Sequence, residues 1–364
     1  IRDRSKQDVP IVGLEHLIPD EIRFDAYDIN TDNTFSKRFV KGQVLFGRRR
    51  AYQRKAAIAE FDGICSGDIT VIEAIEGKMV PELLPFIIQT PVFFDYANRG
   101  SAGSLSPRVK WEHLADYEFE LPPLEEQKIL ADKLWAAYRL KEAYKKLLDA
   151  TDEMVKSQFI EMFGNPLSSK QKNELKRLGQ CCIINPRRPN IALCDTDKVS
   201  FIPMPAVSED GYLVDMADEE YGKVKKGFTY FENNDVLFAK ITPCMENGKG
   251  AIAYGLTNGI GVGSTEFHVL RPINGISSPY WLLTLTRMPI FRERAAKNMS
   301  GTGGQKRVSA SYLNHFMVGL PAIEEQRRFE AIYRQADKSK FGDFKSQFIE
   351  MYYNTHNKQT LESV

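Results

Sequence analysis

The chain repeats itself, and nothing else in the sequence constrains its fold so tightly. Lys156-Ser157-Gln158-Phe159-Ile160-Glu161-Met162 returns unchanged as Lys345 to Met351, 189 positions later. Leu121-Pro122-Pro123-Leu124-Glu125-Glu126-Gln127 returns as Leu320-Pro321-Ala322-Ile323-Glu324-Glu325-Gln326, 199 positions later. Gln43-Val44-Leu45-Phe46 returns as Asp235-Val236-Leu237-Phe238, 192 positions later. A period near half of 364 residues implies two similar units rather than a solenoid of short repeats. Offsets that drift imply insertions in loops and one change of helix length. Val199 to Met204 answers Val9 to Leu14, but the second copy has a lead-in from Glu174 that the first lacks. With no initiating Met, a longer N-terminus is expected.

Each unit opens with short β-like runs broken by Gly, Asp and Asn. They are Gln43 to Phe46, Ala56 to Glu60 and Ile69 to Ala74, then Val236 to Ala239, Gly250 to Tyr254 and Glu266 to Leu270. A helical patch follows in each, Pro81 to Phe94 and Pro279 to Lys297. Pro123 to Phe163 then has no internal proline or glycine and is rich in Ala, Leu, Glu and Lys, so it reads as one helix of about 40 residues, roughly 60 Å long. A heptad seam runs through Leu130, Leu134, Ala137, Lys141, Tyr144, Leu148, Thr151, Val155 and Met162. The second helix, Ala322 to Tyr353, is shorter: 25 positions separate Leu320 from Lys345, against 35 from Leu121 to Lys156. The ten missing residues correspond to roughly 15 Å. Two such helices are expected to pack on each other, the competing arrangement being a helix laid on its own domain. The expectation is an α+β chain of two similar mixed α/β domains separated by two long, antiparallel, coiled-coil-like helices. The boundaries are 1–121, 122–165 for the first helix, 166–320, and 321–364 for the second helix and tail.

Several function classes find no support. No run of about 18 apolar residues offers a membrane span, and Ile1-Arg2-Asp3-Arg4 opens no signal peptide. The five cysteines (Cys65, Cys181, Cys182, Cys194, Cys244) contain no CxxC pair, which fits reduced, buried thiols in a cytosolic protein rather than a zinc site. His16, His113, His268, His315 and His356 form no HExxH or His–Cys cluster, and Gly248-Lys249 lacks the rest of a P-loop. Asp68 with Glu76 and Lys78 imitates a nuclease array, and Gly259, Gly261 and Gly263 imitate a dinucleotide fingerprint; accidental spacing and turn packing are the plainer readings.

Net charge is only +1, so what matters is where the charges sit. Arg48, Arg49, Arg50, Arg54 and Lys55 follow a predicted strand with Tyr52 and Gln53 interleaved and no acid. Such a stretch suits phosphate neutralisation with Arg or Gln left to read base edges. The matching place in the second unit is less basic and offers Lys240, Thr242 and Lys249. A second pair of loops aligns at offset 199: Ser101, Ser104 and Arg108 in one, Ser300, Thr302, Gly303, Gln305, Lys306 and Arg307 in the other. In both, small residues end in Arg-Val. Small residues let backbone N–H groups approach phosphate, and arginine supplies a bidentate fork.

These residues resemble the specificity subunits of type I restriction–modification enzymes. The match is densest in Val199 to Met204, Gly227 to Phe231, Asp235 to Lys249, Gly263 to His268 and the loop from Ser300 to Val308, with the Leu-Pro-x-x-Glu-Glu-Gln openings and Phe-Ile-Glu-Met helix ends beside them. The resemblance implies two target-recognition domains, each reading half of a split sequence in double-stranded DNA. It implies spacer helices that set the gap and dock two methyltransferase subunits, with Leu130, Leu134, Tyr144, Leu148, Phe159 and Phe348 as contacts, and restriction subunits joining the full complex. S-adenosylmethionine, ATP and Mg²⁺ would sit on those partners, leaving this chain non-catalytic and cytoplasmic in a prokaryote. The alternatives are the recognition region of a fused restriction–methyltransferase, a free-standing Mg²⁺ nuclease using Asp68, Glu76 and Lys78, or a helical scaffold that binds no DNA.

Overall fold

The structure, a computed structural model, describes residues 8–165, 173–302 and 304–341, with side chains to residue 337. The repeat at Lys345 to Met351, Phe348 included, and Gly303 lie outside the described residues. The chain divides into two compact units, Ile1–Tyr144 and Lys145–Val364.

In unit 1 the strand Val44–Gly47 lies between Ala56–Ile58 and Ile69–Ile72, antiparallel to both. All four of its residues are buried, which explains why polar alternation is missing from its sequence. Val44 and Phe46 face one cluster, where Phe46 meets Phe93 and Phe94 with ring centroids 5.5 and 5.8 Å away. Leu45 faces the other, with Val12, Phe24, Phe39 and Cys65. A second sheet pairs Gly63–Cys65 in parallel with Ile11–Val12 and antiparallel with Lys37–Phe39.

Unit 2 repeats this plan with longer strands. Val236–Ala239 is buried throughout and lies between Gly250–Ile252 and Phe267–Pro272, and Cys182–Ile184 extends that sheet. Phe238 meets Phe291 at 6.1 Å, as Phe46 meets Phe93. Ile260–Gly263 pairs in parallel with Lys198–Ile202 and antiparallel with Thr229–Glu232. Gly261 and Gly263 are explained here: a Cβ on the first would collide with the Phe231 ring, and on the second with the Ile202 carbonyl. They are packing glycines of a central strand, not a nucleotide fingerprint.

Both helical patches break at proline. Leu84–Ile88 gives way to Pro91–Arg99, and Pro279–Arg287 to Pro289–Ala296, because proline lacks the N–H that a continuing helix needs. The repeated Leu-Pro-x-x-Glu-Glu-Gln motif also gains a cause. Gln127, almost wholly buried, accepts from Val80 N–H (2.9 Å) and donates to the carbonyls of Pro122 (2.8 Å) and Lys78 (3.2 Å). Gln326 does the same with Ser278, Pro321 and Ile276 at 2.9, 2.8 and 3.0 Å. Each glutamine ties the start of a long helix to the chain just before or at the preceding helical patch.

The first long helix is continuous from Leu124 to Phe163, as expected. Its buried stripe differs from the heptad seam. In unit 1 that stripe is Gln127, Ala131, Trp135 and Tyr138, one residue over from Leu130, Leu134 and Ala137. Trp135 decides this: its indole N–H donates to Glu82 O (2.9 Å), Phe86 packs edge-on at 5.0 Å, and the Arg23 guanidinium lies over its ring at 4.8 Å. The first half of the helix thus lies on its own unit. Leu130 is 42% exposed and Leu148 39%, while Leu134 is half-buried against Val80 and Leu83 and Tyr144 is half-buried.

In unit 2 the remainder of that helix buries Val155, Phe159 and Phe163. Phe329 of the second long helix, Ile323–Phe341, meets Phe159 and Phe163 at 5.3 and 5.6 Å. One turn further along, Tyr333 senses the charge of Asp152, so the two helices run antiparallel there. Phe159 is therefore a core residue, and its assignment to a partner contact is corrected: its ring is covered within its own unit. The division between the units falls inside the first long helix, at Tyr144 and Lys145, rather than at 121 and 165, because each half of the helix packs on a different unit.

Candidate nucleic-acid interface

The two predicted loop pairs converge in each unit on one arrangement. In unit 1 the chain leaves Val44–Gly47 as Arg48-Arg49-Arg50. Arg48 N–H donates to Asp68 O (2.9 Å), Val109 N–H donates to Arg48 O (2.9 Å), and Arg50 N–H donates to Pro107 O (2.8 Å). The arms Ser101–Ala102 and Arg108–Val109 form a two-stranded hairpin. Arg108 then grips Asp68, Nε to Oδ1 at 2.7 Å and Nη2 to Oδ2 at 3.4 Å.

Unit 2 reproduces the three backbone contacts of this frame. Lys240 N–H donates to Glu266 O (2.9 Å), Val308 N–H to Lys240 O (3.0 Å), and Thr242 N–H to Lys306 O (3.0 Å). Ser300 and Arg307 exchange both backbone hydrogen bonds, 3.0 and 2.8 Å, closing the loop between them. Arg307 holds Glu266 with two parallel bonds, Nε to Oε2 at 2.9 Å and Nη2 to Oε1 at 2.8 Å. The hydrogen bonds from Arg108 and from Arg307 hold the Asp68 and Glu266 carboxyls below the usual carboxylate range. Behind this loop, buried His268 donates from Nε2 to Val308 O (2.8 Å) and accepts at Nδ1 from Asn185 (3.0 Å), a tautomer assigned from that network. Burial lowers its pKa, because the charged ring would have no water.

Sequence reading found both loops but missed the acids that hold them. The available signal was position: Asp68 and Glu266 each stand one residue before the equivalent strand, Ile69–Ile72 or Phe267–Pro272. Asp68 is also corrected as a nuclease candidate, since Arg108 and Arg49 already occupy its carboxylate.

Not every predicted cation faces outward. Arg54 turns inward to Asp20 and Gln89 O, with its guanidinium over Phe94 at 5.0 Å, and Lys55 donates to Leu14 O at 2.7 Å. Arg49 donates to Ser106 Oγ and pairs with Asp68. Lys249 reaches Met204 O, Thr242 Oγ1 reaches Lys306 O, and Ser101 Oγ donates to Ala97 O. These side chains hold the loops in shape rather than offering free groups. Arg48, Arg50, Lys240 and Lys306 form no ion pair with a described residue. The Nε atoms of Arg48 and Arg50 are buried without an acceptor. Tyr52, Ser104, Ser300, Thr302, Gln305 and Lys306 are exposed. Three of the five cysteines are buried as expected, but Cys194 is exposed and Cys244 half-buried.

Known proteins match this layout. The family model for the type I restriction modification DNA specificity domain matches twice, at residues 3–150 and 170–341. A 136-residue stretch is 43% identical to the EcoAI type I restriction enzyme specificity subunit of Escherichia coli, covering 37% of this chain and 23% of that protein. The EcoEI specificity subunit, also of Escherichia coli, is 39% identical over 154 residues, 42% of this chain and 25% of that protein. The chain thus spans about a quarter of the length of these curated relatives. The crystal structure of the type I restriction-modification S subunit from M. genitalium aligns over 98% of this chain and 90% of that one, with a TM-score of 0.51 and 11% identity, a likeness of fold. Matched twice by one family model over most of its length, this chain belongs to the family of type I restriction–modification DNA specificity domains.

Proposed function

We propose that the chain is the sequence-reading subunit of a type I restriction–modification complex, each unit reading one half of a split target in double-stranded DNA. One observation carries this reading. Two units of one chain hold the same pair of loops in the same hydrogen-bonded frame, yet place different side chains on it: Arg48, Arg50 and Ser104 in one, Lys240, Gln305 and Lys306 in the other. A constant frame with differing tips suits recognition of two different base sequences, because base edges are read by side chains while the frame sets the register. The first long helix, which runs from one unit into the other, would set the number of unread base pairs, and the exposed Leu130 and Leu148 would meet methyltransferase subunits. S-adenosylmethionine would be bound by those subunits, ATP and Mg²⁺ by restriction subunits, and this chain would supply no catalytic group. Among the described residues no helix is long and apolar enough to cross a membrane, and a cytoplasmic site of action follows from a DNA target.

The test is a map of methylated positions in DNA from cells carrying this chain with its methyltransferase partners. A bipartite motif with a fixed gap is the expected result; a single unbroken motif, or no methylation dependent on the chain, would defeat the reading. Mg²⁺-dependent cleavage of DNA by the chain alone would defeat it too.

A further inference from the structure

We infer that Arg108 and Arg307 are positioning residues that clasp the recognition loops shut, and that contact with DNA beside them falls to the unpaired cations Arg48 and Arg50 in unit 1 and Lys240 and Lys306 in unit 2. The inference rests on the DNA-reading role proposed above, and it reverses what the Arg-Val motif implied on its own.

Each arginine already uses Nε and one terminal nitrogen on a carboxylate. Turning that fork towards a base or phosphate would break both bonds, leaving Glu266 without its ion-pair partner and Asp68 with Arg49 alone. In unit 2 the pair as it stands is neutral, so it adds nothing to long-range attraction for phosphate; in unit 1 Asp68 is shared between Arg108 and Arg49, so that cluster keeps one net positive charge. The same acid also fixes the opposite side of the frame, since its carbonyl accepts from Arg48 N–H or Lys240 N–H. One residue therefore ties the first loop through its backbone and the second through its side chain. The arginine is constant between the units while the acid is Asp in one and Glu in the other, and both lengths reach. Selection for reading a base would fix the arginine's surroundings to that base, not repeat them in two units that carry different tips.

The two roles make opposite predictions for Glu266→Ala. Were Arg307 a reader, removing its acid would free a cation and strengthen binding. As half of a clasp, Glu266→Ala should damage recognition just as Arg307→Ala does. The experiment uses the full chain and a duplex bearing its mapped target, compared with a duplex in which the half-site read by unit 2 is scrambled. Arg307→Ala, Glu266→Ala and the double variant should each lose about tenfold or more of that discrimination, the double no worse than the singles, with the other half-site unaffected. Glu266→Asp, the acid unit 1 uses, should stay within about threefold of the wild type. In parallel, amide exchange at Ser300 and Val308 in the DNA-free chain should speed up in both alanine variants and stay slow in Glu266→Asp. Loss of discrimination in Arg307→Ala with none in Glu266→Ala would overturn the clasp and make Arg307 a reader. Unchanged amide exchange in the alanine variants would overturn it too. Absence of any sequence preference in the wild type would strike the DNA-reading proposal instead, and the exchange measurement would still judge the clasp.

Discussion

Gln326→Ala isolates the part of the frame that holds a long helix to its unit. The side chain is fully buried and makes three hydrogen bonds, accepting from Ser278 N–H and donating to Ile276 and Pro321 carbonyls. Truncation strands one buried donor and two acceptors and opens a small cavity. A net hydrogen bond contributes about 1 kcal/mol, and a stranded buried group costs about 1–3 kcal/mol, the carbonyls less because a second lone pair can find other partners. The total is about 3–5 kcal/mol. With a urea slope of about 2–3 kcal/mol/M for a unit of this size, the midpoint should fall by roughly 1–2 M. Hydrogen exchange localises the damage: the Ser278 amide should lose protection while unit 1 amides keep theirs. Gln326→Glu should be at least as damaging, because it keeps the acceptor but sets a buried carboxylate against two carbonyls. A midpoint shift below about 0.2 M in Gln326→Ala, with Ser278 still protected, would show that the triple contact contributes nothing and that the repeated motif is kept for another reason.

Phe159→Ala should destabilise the chain by about 3–5 kcal/mol in the same urea assay, since its ring is enclosed by Phe163 and Phe329. Exposed Leu148→Ser should change stability by under about 0.5 kcal/mol yet weaken assembly with methyltransferase subunits, measured by co-elution. His268 is held neutral by burial, so the unfolded chain takes up the proton first. Its stabilising effect is complete above pH 6.5 and fades as pH falls through its lowered pKa. His268→Gln should therefore flatten the loss of melting temperature on acidification below pH 6.5, and an unchanged slope would remove His268 as the cause. Deleting about seven residues from the exposed stretch of the first long helix, two turns or roughly 10 Å, should shorten the preferred gap by about three base pairs in the methylation map.

Much of the architecture could be read directly because duplication supplies its own alignment. Matching runs mark the central strands and the Leu-Pro openings of the long helices. The face of the long helix could not be read, because heptad spacing is shared by neighbouring stripes and Trp135 tips the balance through bonds to Glu82 and contacts with Arg23 and Phe86, residues distant in sequence. The loops were found from composition, but their side-chain roles were not. A basic run looks alike whether its members face solvent or fold back, and the inward turn of Arg54 and Lys55 depends on Asp20 and Leu14. The clasp acids were invisible for the same reason: Asp68 lies 40 residues from Arg108, and Glu266 lies 41 from Arg307.

The strands Val44–Gly47 and Val236–Ala239 are buried on both faces, which has a consequence for how such a chain can change. A residue enclosed on two sides tolerates almost no exchange, so novelty is driven off the sheet and onto the turns that leave it. On those turns and the loops hydrogen-bonded to them, Tyr52, Ser104, Thr302, Gln305 and Lys306 are exposed. If the chain reads DNA as proposed, a new target calls for changes at those positions alone, with the hydrophobic packing left as it was.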